Sequence, residues 1–229
     1  MDFERQNHDD GIMIFDFSEL SGTDQYKLLA SSVVPRPIAW VVSLDARGKV
    51  NAAPFSFFNV FGAAPPVVVI GIGTREPGTH KDSGANIRET GEFVVNLVGH
   101  DNAEAMNVTA IDFGPEVDEL AEAGLTAAPS VKIRPPRIAE SPVAMECRLH
   151  SVVDLAPGRG LVVGEVLAMH VRDDAVLDRA RCHIDTPKLD LIGRMHGRGW
   201  YTRTSERFDL PRIAVEAWRN GQDRSQDGA

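Results

Sequence analysis

Short runs of β-branched and aromatic residues, separated by turn residues, recur along most of the chain. Runs of this length and composition predict β-strands. The runs are residues 38–44, 49–53, 67–72, 92–98, 143–155 and 161–172. The turn chemistry of residues 45–48 joins the first two runs into a predicted hairpin. The last two runs are long and meet at a Pro-Gly turn, which predicts a second, wide hairpin.

Helical patterning is confined to a few short segments. The predicted helices are residues 25–34, 85–90, 101–110 and 116–123. Pro35 ends the first helix, Asp82 or Ser83 is the expected N-cap of the second, and a capping box opens the third. About six strands with so few helices do not alternate as a doubly wound parallel sheet requires. We therefore expect a mainly β fold, an antiparallel closed or split barrel.

Length and charge then narrow the class of protein. The 229 residues are 43% hydrophobic and 25% charged, the composition of an ordinary soluble domain. The net charge of -9 argues against a nucleic-acid partner. No apolar run approaches the ~20 residues of a membrane helix, and the N-terminal residues do not resemble a signal peptide, so we expect a cytoplasmic protein without a membrane partner. Residues 1–22 are expected to form an N-terminal extension and residues 213–229 a polar tail, with disorder from residue 220.

The two cysteines and the histidines do not suggest metal chemistry. Cys147 and Cys182 are far apart and lack metal-ligand spacing, and no histidine stands in such a spacing. Cys147 alternates with apolar residues, which predicts a small core residue. Glu165 lies on the same face of its predicted strand as its apolar neighbours. The favoured interpretation is therefore a buried carboxylate with satisfied hydrogen bonds.

Polar residues interrupt an aromatic stretch at residues 53–59, and this is the first candidate site. Phenylalanines more often pack than bind, so a piece of core with a bend at Pro54 is one interpretation. The other is a planar, partly charged ligand such as flavin mononucleotide (FMN), because Ser56 and the backbone offer polar groups beside the rings.

Cationic residues supply two further candidates. Lys81 stands just before a predicted helix N-terminus, where free N–H groups favour a phosphate, although Asp82 and Ser83 serve equally well as simple helix caps. Arg36 stands at the entrance of a strand and is either a phosphate clamp or an exposed side chain. The Gly-rich residues 193–199 form either a loop that closes over a ligand or an ordinary basic loop.

Several of these segments occur together, and in the same order, in one known family. The segments are residues 34–40, 50–59, 81–86, 90–96, 104–107 and 124–136. Over residues 23–212 the chain resembles the flavin reductase-like proteins, which have an FMN-binding split barrel. Relatives usually carry Thr where this chain has Ser83, which keeps the hydroxyl.

The resemblance implies a Greek-key split β-barrel that forms a homodimer and holds FMN near the subunit interface. It also implies that NADH or NADPH passes a hydride to the flavin, without a separate catalytic residue. Reduced FMN then leaves for a partner monooxygenase or stays bound; the alternative is a non-catalytic electron carrier or sensor, similar to flavoredoxin. The implied cofactor-binding residues are Arg36, Ala53, Pro54, Ser56, Phe57, Phe58, Lys81, Asp82, Ser83 and Asn86. Arg36, Lys81 and Asn86 are assigned to the phosphate side.

Overall fold

Seven strands form one antiparallel sheet that curls around a shared core. The computed structural model describes residues 11–75, 78–114 and 116–219. The sheet strands are β1 (Ala39–Leu44), β2 (Val50–Phe55), β3 (Phe58–Ala63), β4 (Pro66–Ile72), β5 (Glu92–Leu97), β8 (Val143–Ala156) and β9 (Arg159–Val171). They are ordered β2-β1-β5-β8-β9-β4-β3. Strands β2 and β3 follow each other in sequence yet form the two opposite edges, so the sheet is open between them.

Smaller elements cover the sheet. The helices are α1 (Gly22–Ser32), α2 (Asp82–Thr90), α3 (Ala103–Val108) and α4 (Glu119–Glu122). Three short strand pairs lie outside the main sheet: β6 (Ala127–Ala128) with β7 (Arg137–Ile138), β10 (Val176–Asp178) with β11 (His183–Ile184), and β12 (Ile192–Arg194) with β13 (Tyr201–Arg203). None of the helices in the described ranges is both long and apolar enough to cross a membrane.

The alternation of side chains along the strands fills two apolar cores. The inner core contains buried residues from all seven sheet strands, among them Phe58, Phe93 and Cys147. The outer core lies between the sheet and the peripheral elements. Its largest fully buried side chain is Trp40, whose Nε1 donates to Thr109 Oγ1 at 2.9 Å. Successive side chains of β1 point alternately into the two cores, so both faces of this strand are buried.

Helix α2 packs against the inner core. Ile87 is one of the buried residues of that core, and a Cβ added at Gly84 would stand 3.3 Å from Ile72 Cγ2. Gly91 ends the helix as expected, because it adopts the left-handed φ of 73° that glycine tolerates. The close approach at Gly84 lets the helix lie directly on the sheet.

The mainly β fold and both hairpins are confirmed, whereas several local predictions are wrong. Helix α2 begins at Asp82, and its N-cap is Lys81, whose side chain makes no capping hydrogen bond. The third predicted helix opens as a 3₁₀ turn without a capping box, and the fourth shrinks to α4. Strand β3 was not predicted, because its residues are mostly exposed at a sheet edge and lack an apolar alternation.

The prediction of a buried carboxylate at Glu165 is also wrong. Its side chain is partly exposed and accepts a hydrogen bond from Arg148 Nη2 at 2.9 Å. The fully buried carboxylate is Glu146, on the neighbouring strand. Within the predicted polar tail, residues 213–219 are exposed and include the apolar side chains of Ile213, Val215 and Trp218, and residues 215–219 are helical. The predicted disorder of residues 220–229 and most of the 1–22 extension lie outside the described residues.

Candidate functional site

Strand β2 is an open edge of the sheet and carries Ala53 and Pro54 of the predicted site. Its inner neighbour is β1, in the register Ala53 to Val41 and Pro54 to Trp40. The N–H of Ala52 donates to Glu119 Oε2 at 3.0 Å and so points away from β1. Because an antiparallel strand alternates its bonding edge every second residue, the carbonyls of Ala52 and Pro54 also face outward. Pro54 has no N–H, which suits it to an edge.

The predicted aromatic residues divide between core and surface. Phe58 is only 8% exposed and packs in the inner core, so its ring is not available to a ligand. Phe57 is 45% exposed and stacks on Tyr26 of α1, with ring centroids 6.0 Å apart. Ala53 is partly buried against the inner core. The core interpretation therefore holds for Phe58, and the ligand-binding interpretation stays a prediction for the exposed Phe57.

Arg36 lies at the C-terminal end of β2 and is buried, with its guanidinium bonded to protein atoms. Its Nη1 donates to the carbonyls of Ala30 at 2.6 Å and Val33 at 2.9 Å, at the end of α1. Its Nη2 donates to the carbonyl of Met195 at 3.0 Å, and its Nε lies 3.4 Å from Ser56 Oγ. Arg36 thus ties three separate segments to Ser56, and few of its donors are left for a phosphate.

Helix α2 lies at the opposite, N-terminal end of β2 and is held there by two polar contacts. Asn51 Nδ2 donates to Ser83 Oγ at 2.8 Å, and Asn86 Nδ2 donates to Ser43 Oγ at 3.2 Å. Both Ser83 and Asn86 are buried. These two predicted site residues therefore position the helix, because their side chains are engaged with the sheet.

Lys81 is exposed and Asp82 is half-buried at this helix N-terminus. Among the described residues, none engages the Lys81 side chain, and no side chain caps the first N–H groups of α2. Asp82 forms an ion pair with Arg75 at 3.1 Å, which offsets the negative charge that the sequence placed beside a phosphate. A small cavity of about 70 Å³ beside Asn51 and Asp82 is also lined by Arg47 and Lys49, which the sequence did not single out.

Arg36 and Lys81, two of the three residues predicted for the phosphate side, lie at opposite ends of β2. Ser83 is bonded to Asn51, and Arg36 lies beside Ser56. An extended chain rises about 3.3 Å per residue, so the five steps from residue 51 to residue 56 span about 17 Å. One phosphate group cannot contact both ends. The site has one exposed cation and a free helix N-terminus at one end, and a buried arginine with an exposed aromatic ring at the other.

The Gly-rich segment forms the hairpin of β12 and β13 and lies against the Arg36 end. The backbones of Arg36 and Arg194 exchange two hydrogen bonds, of 3.0 and 2.8 Å. Gly193 is required there, because an added Cβ would stand 2.8 Å from Pro35 Cβ. At the tip, His196 stacks on the exposed Trp200 with centroids 6.3 Å apart. The tertiary structure thus places this segment beside residues 36 and 56.

Two buried carboxylates were missed by the sequence analysis. Burial raises the pKa of Glu119, although the Ala52 N–H opposes that effect. Burial also acts to raise the pKa of Glu146, but hydrogen bonds from His170 and from the N–H groups of Val131 and Lys132 lower it below the ordinary value. Neither residue has a local pattern that reveals its burial. Glu119 borders the site through β2.

Comparison with known protein families identifies the family of this chain. Residues 30–185 match the family described as "Flavin reductase like domain", which is more than half of the chain. The chain belongs to this family. A structure of 2-nitrobenzoate 2-nitroreductase NbaA from Pseudomonas fluorescens is 36% identical, with a TM-score of 0.81 over 89% of this chain and 98% of that one.

Two further structures support the fold assignment. Nitrilotriacetate monooxygenase component B from Bacillus cereus is 33% identical, with a TM-score of 0.81 over 87% of this chain and 98% of that one. A split barrel protein from Shewanella frigidimarina is 23% identical, with a TM-score of 0.73 over 86% of this chain and 96% of that one. The expected split barrel and the resemblance to flavin reductases are both confirmed. The chain is therefore a flavin reductase-like flavoprotein by family.

Proposed function

We propose that this family member is an NAD(P)H-dependent flavin reductase that binds FMN along the open edge of β2. The observation that carries the proposal is the edge itself. It presents two outward carbonyls and extends about 17 Å from a cationic helix end to an aromatic end. FMN is an extended molecule with a phosphate at one end and a flat ring at the other, so its two ends match the two ends of this edge.

The phosphate is assigned to the α2 end. Uncapped N–H groups and the positive end of a nine-residue helix favour an anion, and Lys81 adds a full charge. Asp82 does not oppose binding as strongly as a free carboxylate would, because Arg75 pairs with it. Ser83 and Asn86 support this end by fixing α2 to the sheet. They would act on FMN binding through the position of the helix.

The flavin ring is assigned to the Ser56 end. The carbonyls of Ala52 and Pro54 are acceptors suited to a ring N–H, and Phe57 offers an exposed apolar face. Arg36 holds Ser56 in place and contributes positive charge nearby. When bound, the flavin itself supplies the hydride-accepting chemistry. The protein binds and orients the ring, and the hairpin of β12 and β13 stands where it would restrict access of water.

An exposed apolar surface next to the ring end supports a homodimer. It comprises side chains of α1, of β3 and of one residue adjoining each, all at least 45% exposed: Tyr26, Leu29, Val33, Phe57, Val60 and Phe61. An apolar surface of this kind commonly marks a protein interface. Because it contains Phe57, a second copy seated on it would place the flavin near the subunit interface. Sedimentation should then show a dimer for the wild type and a monomer for Phe61→Asp.

The source and destination of the electrons also belong to the proposal. NADH or NADPH is the proposed hydride donor, and a partner monooxygenase is the proposed acceptor of reduced FMN. The likeness to component B of a nitrilotriacetate monooxygenase supports that acceptor. A non-catalytic carrier or sensor is the alternative. The cytoplasmic location stays a prediction from the sequence.

Anaerobic mixing of the purified protein with FMN and either nicotinamide tests the proposal. Bleaching of the flavin absorbance, faster than in a protein-free control, is the expected result. Bound flavin that keeps its absorbance with both NADH and NADPH would overturn the reductase assignment and favour the carrier. Failure to bind FMN at all would overturn both.

A further inference from the structure

A large open cavity lies apart from the β2 edge, at the other side of the sheet. Its volume is about 990 Å³, and it is bounded by the start of β8, the end of β9, the β7 segment and the hairpin of β10 and β11. The pairing Pro54–Trp40–Asn96–Ala144–His170 forms one row across the sheet. Ala144 and His170 both line the cavity and neighbouring strands are ~4.8 Å apart, so three spacings, about 14 Å along the sheet, separate Pro54 from the nearer lining strand.

Two arginines of the cavity lining lack a bonded partner. The Nε of Arg137 is buried and has no hydrogen-bond partner, and it is the only such side-chain atom found in the described part of the chain. A buried donor without an acceptor costs roughly 1–3 kcal/mol, so an acceptor that enters the cavity, whether water or a ligand, would stabilise this atom. Arg179 is exposed at the turn of the β10–β11 hairpin, where no described residue engages its side chain.

The other charged residues of the lining are engaged by protein groups or exposed. Arg172 is engaged by Asp174 and by the carbonyl of Lys188. Of the two lining carboxylates, Glu140 accepts the N–H of Thr126 at 3.1 Å, and Asp173 is exposed. Because Asp174 pairs with Arg172, Arg137 and Arg179 are the two guanidinium groups of the lining that are left for an anion.

The cavity also has an apolar wall. Met169, Val171, Val176 and Ile184 all line it, and the Met169 side chain is 53% exposed. An inorganic anion makes no use of such a wall, whereas a ligand with an apolar or aromatic body buries it. Guanidinium groups recognise the oxygens of carboxylates and phosphates, often through two parallel hydrogen bonds. Volumes of 300–1,000 Å³ are typical of small-molecule sites, roughly the size seen here.

We propose that this cavity binds a small organic anion, in which an apolar body bears a carboxylate or phosphate group held by Arg137 and Arg179. The site is separate from the proposed FMN edge and does not depend on it. The chemistry shared by the candidate ligands is an oxyanion on an apolar body. The lining alone does not distinguish the carboxylate from the phosphate, and the test has an arm for each.

Isothermal titration of the full-length protein at low salt, with benzoate, phenyl phosphate and acetate as probes, tests the proposal. Arg137→Gln and Arg179→Gln should each weaken binding of benzoate or phenyl phosphate by roughly tenfold, as loss of a charged hydrogen bond implies. Acetate should bind more weakly than benzoate, since it cannot cover the apolar wall. The matched control is Arg159→Gln, an exposed arginine at the other end of β9, which should bind as the wild type does.

Each outcome decides the question. Tighter binding of benzoate identifies a carboxylate ligand, and tighter binding of phenyl phosphate identifies a phosphorylated one. Arg179 lies on an exposed turn, so Arg179→Gln remains informative if Arg137→Gln fails to fold. The proposal is overturned if no probe binds, if acetate binds as well as benzoate, or if Arg179→Gln and Arg159→Gln bind equally.

Discussion

Removing the cation at one end of β2 should have a different effect from removing the cation at the other end. The difference tests the orientation of bound FMN. Lys81→Ala removes an exposed charge at the N-terminus of α2. Arg36→Gln removes a buried guanidinium that donates to the carbonyls of Ala30, Val33 and Met195. If the phosphate lies at the α2 end, the first change should affect recognition of the phosphate and the second should affect mainly the stability of the fold.

The magnitudes follow from the contacts. A hydrogen bond to a charged group contributes roughly 1.5–3 kcal/mol, and the exposure of Lys81 favours the lower value, which is about a tenfold loss of FMN affinity. The stability of Lys81→Ala should change by less than about 0.5 kcal/mol. In Arg36→Gln, three carbonyls each lose a hydrogen bond worth about 1 kcal/mol. The free energy of unfolding should therefore fall by about 3 kcal/mol. That loss corresponds to a Tm lower by about 6–12 °C.

Fluorescence titration with FMN and with riboflavin separates the two effects, because only FMN has the phosphate. Lys81→Ala should reduce the affinity advantage of FMN over riboflavin about tenfold. Arg36→Gln should leave that advantage unchanged while lowering the Tm. Ser56→Ala, combined with Lys81→Ala, should weaken both ligands further at the ring end. Lys132→Ala removes another exposed lysine and is the charge control. The orientation is refuted if Arg36→Gln abolishes the advantage of FMN and Lys81→Ala preserves it.

Three other properties are predicted from the structure. Burial raises the pKa of the Cys147 thiol to about 12, so a thiol reagent should modify only the exposed Cys182 in the native protein and both thiols in denaturant; two fast-reacting native thiols would contradict this. The raised pKa of Glu119 makes its contribution to stability greatest below the unfolded value of about 4.5 and lost as the pH rises through the folded value. Urea unfolding should therefore show that Glu119→Gln gains stability over the wild type between pH 4.5 and 7, and a constant difference would disprove the assignment. Gly164→Ala should lower stability by about 1–3 kcal/mol, because its Cβ would stand 2.4 Å from the ring of a core phenylalanine; an unchanged Tm would show that the core yields there.

Much of the strand content could be predicted because it is encoded locally. The runs that became β1, β5, β8 and β9 combine β-branched residues with turn chemistry at their ends, and such signals act over a few residues. Strand β3 escaped because an exposed edge strand needs no apolar alternation. The N-cap of α2 was misassigned for a related reason. Ser83 had the chemistry of a cap, but the bond from Asn51, 32 residues away, buries it against the sheet instead.

A mainly β, flavin reductase-like chain and the segments proposed to form its site can be inferred from the sequence alone. Local propensity and an ordered series of motifs suffice for that. Only the tertiary structure decided that β2 is an open edge, that Phe57 is exposed while Phe58 is buried, and that Arg36 and Lys81 lie at opposite ends of one strand. Arg36 illustrates the reason, since it bonds to Met195, 159 residues away. Partners so distant are chosen by the closure of the whole sheet, and no local pattern records them.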